Sequence, residues 1–335
     1  MHIHVIHENQ AWLEPLAKAL DAEGLPWREW YVEKGLFRLD REPSDGIFYN
    51  RMSASSHTRG HRYSPEFTAS TLAWLAAHGA RIINGPRALD LEISKVRQYA
   101  ALNAAGIRTP RTTVVCGKDE VIMSARLDFA QIPWDRYRRW GGEEAPVILK
   151  PNRGGKGLGV RLFHTEDALA AYLDGPEFEA PVDGIYLLQE YIRAPVLGPS
   201  GPIITRAEFI GGKFIYAVEV DTSEGFELCP ADQCAVGDAF CPAGEEPRAK
   251  FTIIDDIDAG LKAQYEAFLA ANDIEVAGIE FIRDAAGTAY TYDVNTNTNY
   301  NPEAEARAGR SAIRELARFL GSELARLSRN RPAAE

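Results

Sequence analysis

The chain has 335 residues, enough for about two domains, and its 45% hydrophobic and 25% charged residues are ordinary for a globular protein. A net charge of −11 excludes a general attraction to nucleic acid or to anionic membranes, so local groups must hold any phosphate. The sequence has no signal peptide, no run of about 18 apolar residues and only four cysteines, which predicts a cytoplasmic protein without nucleic-acid or membrane partners.

Strands and helices alternate in the first 84 residues. Apolar runs predict strands at 3–6, 28–32, 46–52 and 81–84, and helices at 10–22 and 65–77. Because such alternation favours a parallel sheet covered by helices, we expect an α/β domain over residues 1–84.

The rest of the chain is predicted to be mixed α+β with antiparallel hairpins. Single elements are predicted as helices at 91–105, 258–271 and 309–327, strands at 111–115 and 184–192, and a helix with an irregular insertion at 119–145. Gly211 and Gly212 separate two β-rich runs, which predicts a hairpin over 203–220 with a two-residue turn. A second hairpin is predicted over 276–294, with its turn at RDAAG.

A glycine-rich segment lies between two strand-like runs in Pro146–Phe163. Its glycines are Gly154, Gly155, Gly157 and Gly159. A P-loop is excluded because Val160 and Arg161 stand where Lys and Ser or Thr belong. A dinucleotide fingerprint is excluded because a strand-like run, not a helix, follows the glycines. The remaining interpretations are a hairpin flap whose bare N–H groups approach a polyphosphate, or a plain tight turn.

Three oxygen-bearing side chains are predicted to converge in the second hairpin. Asp293 and Asn295 are two residues apart on one strand and so share a face, and the turn brings Glu280 opposite them. Two carboxylates and an amide oxygen suit Mg²⁺, which commonly binds through carboxylates and substrate phosphates. A solvated hairpin edge is the alternative.

These features, in this order, resemble the ATP-grasp superfamily over residues 84–325. The spacing of Glu280, Asp293 and Asn295 is similar to that of D-alanine–D-alanine ligase, and NGPRALDLEISKVRQYAALNAAGIRTPRTTVV resembles the opening of ribosomal-protein glutamate ligases and glutathione synthetases. The resemblance implies an α/β N-terminal domain at 1–84 and a two-lobed α+β ATP-grasp fold with antiparallel sheets. The first lobe would be 85–188 with the glycine flap, and the second 189–330 with the metal site.

The resemblance also implies site residues. Lys95 and Lys150 would reach the ATP phosphates, and Arg206 would steady the transferring phosphoryl group, with Lys150 assisting catalysis. Lys156 in the flap would touch the γ-phosphate or face solvent. The adenine hinge would be formed by Gln189, Glu190, Tyr191 and Ile192.

The implied reaction is ATP-dependent ligation of a small-molecule carboxylate to an amine, through an acyl phosphate, with release of ADP and phosphate. The cofactors would be ATP and Mg²⁺, with Mn²⁺ able to substitute, and a homodimer is expected by resemblance. A kinase acting on a small molecule and an ATP-binding regulatory protein with little turnover are the alternatives.

Candidate substrate residues lie at two places. Arg51 follows a strand end, where α/β proteins place ligands, so it either binds a substrate carboxylate or belongs to a basic surface loop. Asn297 and Asn299 follow the metal strand and either donate to the acceptor pocket or form turns.

One loop departs from the glutamate ligases. Glu227 and Cys229 stand about where those enzymes carry an arginine and an asparagine, and Glu224, Glu227 and Asp232 indicate either a cationic or neutral amine or a solvated acidic loop. Cys229, Cys234 and Cys241 are interpreted as loop thiols, with a zinc-stiffened lid as the alternative.

Overall fold

The computed structural model describes residues 1–131, 146–155, 157–195, 202–222 and 250–330. The strands in these ranges are β1 (His2–His7), β2 (Trp27–Tyr31), β3 (Gly46–Asn50), β4 (Arg81–Ile83), β5 (Thr112–Cys116), β6 (Val147–Pro151), β7 (Arg161–Phe163), β8 (Ile185–Glu190), β9 (Ile203–Ile210), β10 (Lys213–Asp221), β11 (Phe251–Ile254), β12 (Val276–Arg283) and β13 (Ala289–Asn295). The helices are α1 (Gln10–Ala22), α2 (Ser64–Ala77), α3 (Pro86–Glu92), α4 (Lys95–Ala104), α5 (Lys118–Gln131), α6 (Glu166–Asp174), α7 (Ala259–Ala271), α8 (Pro302–Ala308) and α9 (Ala312–Asn330).

The N-terminal strands form a parallel sheet in the order β2-β1-β3-β4, as predicted. Parallel strands end at the same edge, so the residues that follow β1 and β3 lie close together. Helix α1 begins there because Asn9 caps it and accepts a hydrogen bond from the Trp12 N–H. This edge carries Trp12, which lines the cavity described below, and Arg51, which donates to the Trp12 carbonyl.

Two antiparallel sheets follow, which confirms the predicted α+β arrangement of the later chain. One has the order β5-β8-β6-β7, and the other has the order β11-β10-β9-β12-β13. The β9–β10 hairpin turns at Gly211 and Gly212, whose φ angles of +61° and +70° suit the predicted primed turn. Strands β12 and β13 pair as the second predicted hairpin.

The C-terminal helix packs back onto the N-terminal sheet. Leu316, Leu320 and Leu324 recur every four residues and therefore form one apolar face of α9. This face belongs to a core cluster that also contains Ile3 of β1 and Leu16 of α1. The two ends of the described chain are therefore joined in one core.

The helix predicted at 91–105 is present as α4, but it begins at Lys95 rather than at Leu91, and a separate helix, α3, precedes it. Ser94 caps α4 by accepting a hydrogen bond from the Arg97 N–H, which starts a new helix at Lys95. Three further elements, β11, α6 and α8, were not predicted. For α8 the signals are present in the sequence, since Asn301 caps it, Pro302 begins it and Gly309 ends it with a φ of +66°.

Of the predicted insertion at 119–145, α5 covers the first part, and residues 132–145 lie outside the described residues. Within the described ranges, no helix combines the length and apolar character needed to cross a bilayer.

Candidate functional site

One continuous cavity contains most of the predicted site residues. It is bounded by the two antiparallel sheets and by loops at the edge of the N-terminal sheet. Its lining includes Lys95, Lys150, Gly154, Gly155, Gly157, Gln189, Glu190, Tyr191, Ile192, Arg206, Glu280, Asp293, Asn295, Asn297 and Asn299. Residues that are far apart in sequence are therefore brought to one place.

The two carboxylates of the predicted metal site face each other across β12 and β13, where Glu280 pairs with Asp293. The Asn295 amide lies beside them, since its Nδ2 is 3.3 Å from Glu280 Oε1. Burial raises the pKa of Glu280, and the negative charge of Asp293 adds to this effect, although Arg206 opposes it. A buried pair of like charges would be relieved by a cation.

The donor set fits Mg²⁺, because carboxylate and amide oxygens are the hard ligands that this ion prefers. Within the described ranges, no group of three or more His, Cys, Asp and Glu side chains is placed to hold a metal ion. A metal at Glu280 and Asp293 would therefore depend on the Asn295 amide and on substrate oxygens, as is common for Mg²⁺.

Lys95 lies beside the metal site. Its Nζ is 2.7 Å from Asp293 Oδ1, and both side chains are largely buried. Its backbone is held by Asn152, just after β6, because the Lys95 N–H donates to the Asn152 carbonyl and the Val96 N–H donates to the Asn152 side chain. The start of α4 and the end of β6 are thus tied together, which places Lys95 near Lys150.

Lys150 is buried and donates to the Tyr99 hydroxyl at 2.7 Å. Burial lowers the pKa of Lys150 to about 7, and the positive charge of Lys95 contributes. Gln189 Nε2 donates to the same hydroxyl at 2.7 Å, and Tyr99 donates to the Tyr292 carbonyl at 2.9 Å. Tyr99 therefore links the lysine, the hinge strand and the metal strand.

Tyr99 was not predicted as a site residue. The available signal was its place four residues after Lys95, on the same face of α4. The predicted hinge residues are engaged locally: Gln189 Nε2 also approaches Thr112 Oγ1 at 3.1 Å, and Glu190 Oε1 accepts from the Arg111 N–H at 2.9 Å.

Arg206 is held by three neighbours. Its Nε donates to Glu208 Oε1 at 2.7 Å, its Nη1 to Glu280 Oε1 at 2.9 Å, and its Nη2 to Thr298 Oγ1 at 2.5 Å. Although burial opposes the charge, the Glu208 and Glu280 carboxylates raise the pKa of Arg206. Gly278 leaves the space for the guanidinium, because a Cβ there would lie 2.6 Å from Arg206 Nε.

Glu208 and Glu92 are further residues that the sequence did not single out. Glu208 also accepts from Thr298 Oγ1 at 2.8 Å. Glu92 lines the cavity, accepts from the Thr296 N–H at 2.6 Å, and has its pKa raised by burial. Both join elements that are distant in the chain, so local sequence patterns carry no signal for them.

The residue that precedes the glycine flap, Arg153, is fixed by hydrogen bonds to α2. Arg153 donates to Glu66 of α2 through Nη1 at 2.8 Å and Nη2 at 3.3 Å. Gly157 and Gly159 have φ angles of +75° and +74°, in the left-handed region that favours glycine. Unlike the other described flap glycines, Gly159 does not line the cavity.

Arg51 lies behind Asn297 and Asn299 rather than in the cavity lining. It is 3% exposed, and its Nε and Nη2 donate to the Oδ1 atoms of Asn297 and Asn299 at 3.2 and 2.8 Å. Its remaining contacts are the carbonyls of Trp12 at 2.8 Å and Thr298 at 3.2 Å. Arg51 is thus a buried residue and not part of a basic surface loop.

Several sequence predictions lie outside the described residues. They concern Lys156, Glu224, Glu227, Cys229, Asp232, Cys234 and Cys241.

No protein-family model and no curated protein sequence matches the chain. Solved structures do resemble it. D-cycloserine synthetase DcsG is 18% identical with a TM-score of 0.61, covering 96% of this chain and 99% of its own. The ATP-grasp ligase PsnB, complexed with a phosphomimetic precursor variant, Mg and ADP, is 16% identical with a TM-score of 0.57, covering 96% and 98%. D-alanine–D-alanine ligase from Bacillus anthracis is 14% identical with a TM-score of 0.59, covering 98% of both chains. The chain therefore has the ATP-grasp fold, as its sequence motifs predicted.

Proposed function

We propose that this protein is an ATP-dependent carboxylate–amine ligase that releases ADP and phosphate. The observation that carries the proposal is the convergence of Lys95, Lys150 and Arg206 on the Glu280–Asp293 carboxylate pair, in one cavity. Three cations beside two carboxylates and an amide suit a site that stabilises a transferring phosphoryl group. The structural relatives, which are named as one synthetase and two ligases, support the same reaction class.

We assign ATP to the part of the cavity lined by Ile148, Lys150 and the hinge residues 189–192. Lys95 and Lys150 would hold the phosphates, and the glycines of the flap, together with Lys156, would cover them. Mg²⁺ bound by Glu280, Asp293 and Asn295, or Mn²⁺ in its place, would neutralise charge on the phosphate oxygens. The PsnB complex with Mg and ADP supports this choice of ion and nucleotide.

The first step transfers the γ-phosphoryl group to a carboxylate. A carboxylate oxygen attacks the γ-phosphorus, the bond to the β–γ bridging oxygen breaks, and ADP leaves. Arg206 would stabilise the charge on the transferring group; its position beside Glu280, where Glu208 and Thr298 hold the guanidinium, supports this role.

The second step forms the amide. The amine nitrogen attacks the acyl carbon, the bond to the phosphate oxygen breaks, and the nitrogen loses a proton as inorganic phosphate departs. Neither step requires a protein nucleophile, so positioning and electrostatics by the residues above would supply the catalysis.

Several narrower assignments belong to the same proposal. We propose small-molecule substrates, a cytoplasmic site of action where ATP and Mg²⁺ are available, and a homodimer. We also propose domains at 1–84, 85–188 and 189–330, and substrate contacts near Arg51, Asn297 and Asn299.

The test is a hydroxamate screen with Mg·ATP, a panel of carboxylic acids and hydroxylamine in place of the amine. The proposal expects a hydroxamate together with ADP for at least one acid. ADP with a stable phosphorylated product and no hydroxamate would instead identify a kinase. Lys150→Ala should abolish the signal, whereas Lys18→Ala, which alters an exposed lysine paired with Glu14, should retain it.

A further inference from the structure

On the basis of the proposed ligase function, we infer that the Asn297 and Asn299 amides, oriented by buried Arg51, bind a carboxylate group of the substrate. Asp293, Asn295, Asn297 and Asn299 alternate along the chain and all line the cavity. The two asparagines therefore continue the polar side of the cavity from the metal site toward the edge of the N-terminal sheet.

All the groups that accept hydrogen bonds from Arg51 are uncharged. Its four hydrogen bonds go to two amide oxygens and two backbone carbonyls, all of which are neutral. In the part of the chain that the structure describes, no carboxylate forms an ion pair with it. A guanidinium that is 3% exposed is costly without an anion paired directly with it, so its charge favours an anionic group in the adjoining cavity.

The amide orientations follow from the chemistry of arginine. A guanidinium has donors and no acceptor, so both asparagines must turn Oδ1 toward Arg51. Their Nδ2 groups then point away from Arg51. Among the described residues, neither Nδ2 has a protein acceptor, and both side chains line the cavity. The Nδ2 groups of Asn297 and Asn299 can therefore donate hydrogen bonds into the cavity, and the Arg51 charge behind them polarises these amides.

Such a surface selects an acidic group. A carboxylate has two oxygens that can accept from the two amides, whereas an ammonium group would meet only donors and an uncompensated positive charge. Arg51 is then a positioning residue that acts through the asparagines. Arg51 does not bind the substrate carboxylate directly through two parallel hydrogen bonds, because four of its five N–H groups already donate to protein acceptors.

Asn299→Asp tests this assignment with little change in shape. The new carboxylate can still accept from Arg51, so the loop should stay in place. It neutralises the Arg51 charge and replaces the Nδ2 donor by an oxygen. Asn297→Asp is a second variant of the same design. Asn301→Asp is the matched control, because it adds the same charge nearby, at the cap of α8, where Asn and Asp serve equally well.

The readout is equilibrium binding of a panel of carboxylic acids, each beside its carboxamide, to the protein with Mg·ADP and without turnover. We expect the wild type to prefer an acid over its carboxamide. The affinity for that acid should fall roughly 10- to 100-fold in Asn299→Asp, as expected for a lost charged hydrogen bond. In Asn301→Asp it should stay within about twofold.

Equal binding of the acid by Asn299→Asp and wild type would overturn the inference, as would a wild type that shows no preference for any acid over its carboxamide. A different result would refute the proposed ligase reaction. An acid that binds through Asn299, yet gives neither ADP nor a hydroxamate, would leave the carboxylate site standing and refute the ligase.

Discussion

Position 278 must be glycine for Arg206 to keep its place, because the Arg206 guanidinium occupies the space that a side chain at position 278 would need. An added Cβ would lie 2.6 Å from Nε and Nη2 and 2.8 Å from Cζ of Arg206. Non-bonded contacts of this kind normally settle near 3.5 Å, so Gly278→Ala should displace the guanidinium by about 0.9 Å. Its hydrogen bonds to Glu208 and Glu280, now 2.7 and 2.9 Å, would be stretched or misaligned.

Two magnitudes follow from this displacement. Crowding a packed interior costs about 1–3 kcal/mol of unfolding free energy, which a chain of this size should tolerate. Loss of one oriented donor to a developing charge costs about 2.7–4 kcal/mol, or roughly 10²- to 10³-fold in kcat. The KM for ATP should change little, because Gly278 does not line the cavity.

The assay is ADP release with the acid found in the hydroxamate screen, together with a thermal melt of each variant. Gly35→Ala is the control, since its nearest neighbour would be 3.9 Å from the new Cβ and Gly35 does not line the cavity. A folded Gly278→Ala protein with a kcat near the wild-type value would refute the assigned role of Arg206.

Three further predictions concern the buried residues of the cavity. Because burial lowers the pKa of Lys150 to about 7 and only the protonated amine attracts phosphate, Mg·ATP affinity should fall above pH 7, by up to about tenfold per pH unit. A fluorescent ATP analogue titrated from pH 6 to 9 measures this, and a flat profile would contradict it. Tyr99→Phe removes the acceptor of Lys150 and Gln189, so affinity should drop about tenfold and the fall should begin at lower pH; an unchanged profile would show that Tyr99 has no such role. Glu280→Gln should raise the Mg²⁺ concentration for half-maximal ADP release by at least about tenfold. An unchanged Mg²⁺ requirement would place the ion elsewhere.

Site residues whose positions follow from the alternation of side chains along a strand could be predicted from the sequence. Asp293 and Asn295 were assigned to one face because strand residues alternate, and the β12–β13 register does place Glu280 opposite Asp293. The two hairpins were predicted from turn glycines and apolar runs for the same reason. These signals extend over a few residues, so they are readable without the fold.

Contacts between residues that are far apart in the chain could not be predicted in this way, because no local sequence pattern indicates them. Glu208 holds Arg206 from two residues away, but the Thr298 that completes this cluster comes from a loop 90 residues further on. Arg51 was identified by residue type and position, yet its burial behind Asn297 and Asn299 depends on packing between the first and last sheets. The break before Lys95 was predictable in principle, because Ser94 is a good cap, but the apolar pattern runs through it.

The proposed reaction requires a carboxylate oxygen of the substrate to attack the γ-phosphate of ATP. The most direct test supplies the acid from the screen with ¹⁸O in its carboxylate, together with Mg·ATP and an amine or hydroxylamine, and analyses the products by mass spectrometry. The proposed reaction predicts one ¹⁸O atom in each inorganic phosphate released, because the attacking oxygen leaves with the phosphoryl group. Unlabelled phosphate formed at the same rate as ADP would show that water or another group is the acceptor, and would contradict the account.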